Sequence, residues 1–424
     1  MECNYSSVDK QRSCSEKNPV LLYVEEAQND FINALIERTD IQLVLLRFSN
    51  CMSFSKEHLR KTCHIASFVW NKQNPFDSEL ELLRCFLERS MLEPDYFYND
   101  SEFNQILAQR IARTLGVPGA LSEHQAQLVR NKILMKLFVR EIGLKCPSFA
   151  PIKCLDEAKH FAIQVGYPVI VKWHSGVSSI EVFKIDSEKE LEKLPIDFTS
   201  GRYIVEEFRN ETIWCIDALV VRGDVQDVFY TWLPYTNLDF ASNKKKFIQI
   251  AVGKKQQEWK FNPHQLTQTI VNGLGTQNGY LHLEVFITSE GEPLVCEFAW
   301  RTPGDHIISN LSLLYNTDVA GRLLDGLFGI QHEPLVSTAK CVGDIFFPMK
   351  DGRITAISDM NTMREQFPII AGEIFYCVGD RMKGQHKYTD SGGWVQVAAS
   401  SIADMLALTD QVYSKFCLRV EKDE

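Results

Sequence analysis

The sequence predicts an α/β protein of two or three domains, and three observations carry that expectation. Near the N-terminus short apolar runs alternate with amphipathic segments, the pattern of strands and helices that builds a parallel sheet. Past residue 145, strand-like runs follow one another with only turn residues between several of them. At 424 residues, with 45% hydrophobic and 24% charged, the chain is long enough for more than one core and ordinary for a globular protein.

Taken in order, residues 1–17 (MECNYSSVDKQRSCSEK) are a polar leader without the apolar core of a signal peptide. No apolar run approaches the ~18 residues of a membrane span, so a soluble, cytoplasmic protein is expected. Residues 19–24, 41–48 and 65–69 read as strands, and 29–38 and 78–89 as helices, giving an N-terminal α/β domain over 18–120. Its first strand-to-helix turn lacks the Gly-rich phosphate fingerprint, so it is not read as a dinucleotide site. Residues 131–142 predict a helix that Gly143 stops before Cys146-Pro147. A helix over 155–165 ends at Gly166, and strands follow at 167–173, 180–185, 203–208, 214–222 and 225–233. A helix ends over 266–272. The last part is β-rich, with strands at 341–348 and 372–378 and a helix at 402–413.

The formal charge of −10 argues against nucleic-acid binding, because no domain-wide basic excess is available for phosphates. The run Lys244-Lys245-Lys246 reads as a solvated loop. Twelve cysteines occur without C-x-x-C spacing, and Cys215 and Cys296 sit inside apolar runs, the usage of a reducing compartment.

The stretch YLHLEVFITSEGEPLVCEFAWRT, residues 280–302, reads as a hairpin over the turn Ser289-Glu290-Gly291. If Thr288 pairs with Pro293, Glu284 lies directly opposite Glu297. Like charges so placed destabilise a sheet, and buried carboxylates must be paired, protonated or metal-bound. A cation is called for.

Five features stand in one order: Lys132; GYPVIVKW with Lys172; the loop HSGVSS; YIVEEF; and the two-glutamate hairpin ending in RTPGDHI. Over roughly residues 120–330 this series resembles the ATP-grasp superfamily, especially its carboxylate–amine and amino-acid ligases. The resemblance implies an ATP-grasp domain over 121–335 with a mobile lid near 145–207, and a C-terminal α+β, β-rich domain over 336–424. It implies that Lys132 and Lys172 contact nucleotide phosphates, that Ser179 belongs to the phosphate-covering loop, and that Glu206, Glu207 and Phe208 form the adenine hinge. Glu284 and Glu297 match the acidic pair for Mg²⁺, with Mn²⁺ as the alternative, and Mg²⁺ carried by ATP would turn their repulsion into attraction. Arg301 matches the arginine after that pair and is expected to be catalytic. With Gly304 and His306 it is also expected to contact substrate. The implied partners are a small carboxylate, in particular an amino acid, and a nucleophile that is either an amine or a carrier-protein thiol; a homodimer is compatible.

Blander roles compete at single residues. Lys132, beside Arg130 and Lys136, could be surface charge; Arg301 could merely neutralise Glu297; His306 could be a core histidine; His282 and Asp217 read as packing or structural residues. Departures from the pattern also matter. Ala299 replaces the usual asparagine, removing a ligand of a second magnesium. Glu181 stands where glycine is common and is expected to point away from the phosphates. The ribose glutamate falls on Ile213, leaving Glu211 as its substitute. A bicarbonate-activating carboxylase and a catalytically degenerate ATP-binding protein are the alternative functions.

Overall fold

Strand β1 (Val20–Val24) is buried along its whole length, and an all-apolar strand of this kind belongs in the middle of a covered parallel sheet. It pairs in parallel with β2 (Gln42–Phe48) and β4 (Tyr96–Asn99), and β3 (Ile65–Trp70) adds to β2. This computed structural model describes residues 18–25, 30–49, 64–177, 179–235, 246–336, 340–383 and 390–422; the leader 1–17, Ser178, Lys244 and Lys245 lie outside the described residues.

A second, antiparallel sheet joins β5 (Phe149–Ile152), β6 (Val169–Trp173), β7 (Val182–Ile185) and β8 (Tyr203–Glu207) in the order β5-β8-β6-β7. The helix Leu155–Val165 closes over it through Ala158, Phe161 and Ala162, so the stretch read as a lid has its own small core. Its second hairpin strand starts at Val182 rather than at 180, because Ile180 sits in the turn.

The body is an eight-stranded sheet of β9 (Ile213–Val221), β10 (Asp224–Leu233), β11 (Phe247–Val252), β12 (Gly279–Ile287), β13 (Pro293–Trp300), β14 (Cys341–Phe347), β16 (Ile369–Ile374) and β18 (Gly393–Ala399), in the order β13-β12-β9-β10-β11-β14-β18-β16. A small sheet of β15 (Gly352–Ile357), β17 (Arg381–Met382) and β19 (Leu418–Glu421) lies outside it. The C-terminal stretch is β-rich as expected, and three of its strands extend the central sheet. Its second strand ends at Ile374, short of the expected 378.

Side-chain alternation decides what β9 shows to each layer. Trp214, Ile216, Ala218 and Val220 enter the main core, while Ile213 and Cys215 face an opening beneath the lid sheet. Helices Ile307–Tyr315 and Val319–Leu327 pack behind the sheet with the helix Asp30–Glu37 of the N-terminal domain, in one apolar cluster.

Candidate active site

Glu284 pairs with Glu297 in the hairpin β12–β13. The turn is one residue tighter than expected, since Thr288 N donates to Glu292 O at 2.9 Å and Ile287 pairs with Pro293. A β-bulge between Glu284 and Val285 absorbs the difference, with Cys296 as the extra residue. A bulged residue loses its ladder partner. Here the Nζ of Lys136 supplies one, donating to Cys296 O at 2.9 Å from a fully buried position.

Lys132 begins the helix Lys132–Glu141, whose first turn is capped by the Asn131 side chain accepting from Ile133 N and Leu134 N. Its Nζ lies 3.0 Å from Glu297 and donates to Gly176 O at 2.9 Å. Lys172, on β6, lies 3.0 Å from Glu206 and 4.0 Å from Glu297. Lys136 reaches the other Glu206 oxygen at 3.4 Å. Burial raises the Glu297 pKa, but Lys132 and then Lys172 outweigh it and hold the carboxyl well below the usual range. Burial opposes ionisation of Glu206 too, and Lys136 and Lys172 overcome it.

Two further clusters flank this one. Arg301 forks onto Glu102, with Nε and Nη2 at 3.0 and 2.7 Å from the same oxygen. Burial would raise Glu102, yet Arg301 and Lys132 bring its pKa below the ordinary value. Beside Glu284, His282 Nδ1 lies 2.8 Å from Asp217 and its Nε2 lies 3.8 Å from Glu284. Burial disfavours the imidazolium, but Asp217 lifts its pKa to about 10. The facing glutamates are therefore already compensated, Glu297 by lysines and Glu284 by His282. The cation that the hairpin calls for is thus supplied in part by side chains, beside the Mg²⁺ that the resemblance implies.

Most of these groups line one open cleft between the lid sheet and the body. Lys132, Lys172, Ser179, Glu206, Glu207, Phe208, Glu284, Glu297, Arg301 and Gly304 all face it. Two expected residues do not. Glu211 is held by Arg209 in a two-point ion pair, and His306 stacks on Trp394 at 3.6 Å between ring centroids and meets Asp30 at 3.4 Å. Glu181 turns to Tyr203 and Arg202, away from the cleft as expected. Lys132 is buried rather than surface charge.

The structure adds Glu102, Lys136, Gln249 and Asp305. Glu102 follows β4, and its only sequence signal is an acidic residue just past a strand end in the parallel domain. Lys136 is four residues after Lys132, the helical spacing that puts both on one face. Gln249 lies on β11, a polar residue inside the run FIQIAV.

No family model matches the chain. In sequence it is 20% identical over 300 residues to the L-arginine-specific L-amino acid ligase of Bacillus subtilis, covering 68% of this chain and 70% of that protein. It is 22% identical over 288 residues to the alanine–anticapsin ligase of Bacillus subtilis strain 168, covering 62% of this chain and 60% of that protein. In structure it superposes on the L-amino acid ligase of Bacillus licheniformis with a TM-score of 0.76 at 16% identity, over 96% of this chain and 100% of that one. The fold is the ATP-grasp fold. All three of these proteins are named as ligases, with which an ATP-dependent, ADP-forming ligase is consistent.

Proposed function

We propose that this protein joins the carboxylate of an amino acid to an amine through an acyl phosphate made from ATP. One observation carries the reading: two lysines, a facing carboxylate pair and a forked arginine surround a single cleft whose lid side is apolar. Ile170, Val182, Ile213, Leu233 and Phe286 offer a slot for a purine, beside Glu206, Glu207 and Phe208. Lys132 and Lys172 then exchange Glu297 and Glu206 for phosphate oxygens, contacts in which charge assists the hydrogen bond. Glu284 and Glu297 fit Mg²⁺, or Mn²⁺, as hard oxygen donors on neighbouring strands, and the ion would neutralise charge on the phosphates. Ala299 brings no further donor.

In the first step a substrate carboxylate oxygen attacks the γ-phosphorus, the bond to the bridging oxygen breaks, and ADP leaves. Arg301 would release Glu102 and fork onto the new acyl phosphate, whose geometry matches a guanidinium. In the second step the amine nitrogen attacks the acyl carbon, the carbon–oxygen bond to phosphate breaks, phosphate departs, and the nitrogen gives up a proton. Holding the reactants in this order is the protein's main contribution. The names of both curated relatives, ligases of arginine and of alanine with anticapsin, support an amino acid as the carboxylate. A carrier thiol could take the acyl group in place of an amine, and mass spectrometry of the product tells them apart.

The test is ADP and phosphate release with amino acids offered singly and in pairs, followed by mass analysis. A dipeptide together with stoichiometric ADP is the expected result. Nucleotide binding without ADP release for every pair would overturn the proposal in favour of a degenerate ATP-binding protein.

A further inference from the structure

Beyond Arg301 the cleft changes character. Gln249, Asp344 and Gln396 stand in register across β11, β14 and β18, a buried polar row within the central sheet. All three are buried, and Asp344 is fully so. Such a row is costly unless its hydrogen bonds are met.

They are met only in part. Asn310 donates to Asp344 Oδ2 at 2.5 Å, and Gln396 donates to Asn310 Oδ1 at 2.8 Å. Gln249 uses its amide nitrogen on Asp305 Oδ2 at 2.8 Å. Among the described residues, Gln249 Oε1 and Asp344 Oδ1 are buried acceptors without a hydrogen-bond partner. Gln249 and Asp305 both face the cleft, and Asp305 holds a left-handed backbone with φ of 53°.

The charges are equally one-sided. Asp30 lies close enough to raise the pKa of both Asp305 and Asp344, Asp305 raises that of Asp344 as well, and the opposing cations are His306 and, on Asp305, Arg301. His306 is engaged by Asp30, and Arg301 is engaged by Glu102. Burial pushes Asp305 up, and it pushes Asp344 up to about 7. Unmet acceptors and crowded carboxyls that a cation would help to ionise, at the substrate end of a cleft, are the complement of an N–H-rich cation.

We infer that this end of the cleft is a subsite for a positively charged nitrogen group of the amino-acid substrate, an ammonium or guanidinium, bound by the Asp305 carboxylate and Gln249 Oε1 with Asp344 as the buried charge behind them. The inference rests on the amino-acid ligase reading for the orientation of the substrate, whose carboxylate lies toward Arg301. The α-amino group and a basic side chain present the same chemistry to these acceptors.

Neutral isosteres separate the two sources. The full-length chain is assayed for ADP release and, by calorimetry with MgATP present, for binding of arginine against citrulline, lysine against norleucine, and each amino acid against its α-deamino analogue. A charge-assisted hydrogen bond corresponds to a preference of about tenfold or more for the cationic member of a pair. Loss with citrulline and norleucine assigns the subsite to the side chain, and loss only with the deamino analogues assigns it to the α-ammonium. Asp305→Asn should erase that preference while ATP affinity stays unchanged, which also shows that the variant is folded; Asp344→Asn should weaken the preference in the same direction. Equal binding of every cationic and neutral pair overturns the subsite. Asp305-dependent binding of cations without ADP release from any amino acid would keep the subsite and overturn the ligase reading. Release of ADP without preference would do the reverse.

Discussion

The two ends of the cleft solve opposite electrostatic problems. At the phosphate end every carboxylate has a cation: Glu297 and Glu206 share Lys132, Lys172 and Lys136, Glu102 has Arg301, and Glu284 has His282. At the far end, Asp305 and Asp344 share His306, which Asp30 already engages, and among the described residues two buried acceptors there lack hydrogen-bond partners. A balanced cluster can hand its lysines to an anionic ligand, because its own carboxylates can turn to a metal. An acidic cluster either takes up protons, as the raised Asp305 and Asp344 carboxyls do more readily than free ones, or binds a cation. The contrast supports the proposal of a polyphosphate at one end and a nitrogen-bearing group at the other.

The sharpest way to break this contrast is Arg301→Lys. The lysine keeps the charge but cannot fork, so turnover should fall on the order of 10²-fold while ATP affinity holds. ADP release beside calorimetric ATP binding checks it, and near-normal turnover would reduce Arg301 to a counter-ion for Glu102.

Next comes Lys172→Ala, which removes one phosphate cation and leaves Glu206 its Lys136 partner. ATP affinity should drop roughly 10- to 100-fold, the value of a hydrogen bond between charged groups. Unchanged binding would move the nucleotide away from β6.

The pairing within the balanced end is read by pH. Glu206 has a lowered pKa in the folded state, so its contribution is present above the unfolded value of about 4.3 and is lost as pH falls through the folded value. Glu206→Gln should cost about 3–5 kcal/mol at neutral pH, because two buried lysines lose a partner, and should flatten the acid limb of a pH–stability curve. An acid limb identical to that of the unaltered protein would contradict the pairing.

The smallest effect separates metal from lysine compensation. Without nucleotide, Glu284→Gln/Glu297→Gln should lower the melting temperature slightly, because Lys132 and His282 lose partners, and Glu297 is 31% exposed, which screens the pair. A rise in melting temperature would restore the view that the glutamates repel each other until a metal arrives. The same variant should lose the added protection given by Mg²⁺ with ATP.

Much of the phosphate end was legible because its residues recur at fixed places on regular elements. Lys172 closes an apolar strand, Lys132 opens a helix, and the two glutamates face each other on a hairpin. The Glu284–Glu297 pairing was inferred from a turn register that is itself off by one, and the bulge at Cys296 is what makes the pairing come out. Such a bulge leaves no mark in hydrophobic alternation. Glu102 and Asp305 come from elements far apart in sequence, so only tertiary packing brings them to Arg301 and Gln249. The polar row was hidden for another reason: a single glutamine in FIQIAV or aspartate in CVGDIFF reads as an interruption until the strands are aligned. Glu211 lies off the cleft lining because Arg209, two residues away, holds it, a local pairing that the hydrophobic pattern does not show.

The central sheet also says something about how this chain can be divided. The strand β14 runs beside β11 for the whole length of β11, and β18 covers the far side of β14. A fragment ending near residue 335 would leave β11 as a bare edge, with open amide and carbonyl groups ready to pair with other chains. Those last residues serve as the sheet's seal against self-association. Cutting the chain between β13 and β14 should yield two pieces that migrate together on gel filtration, while the first piece alone should precipitate.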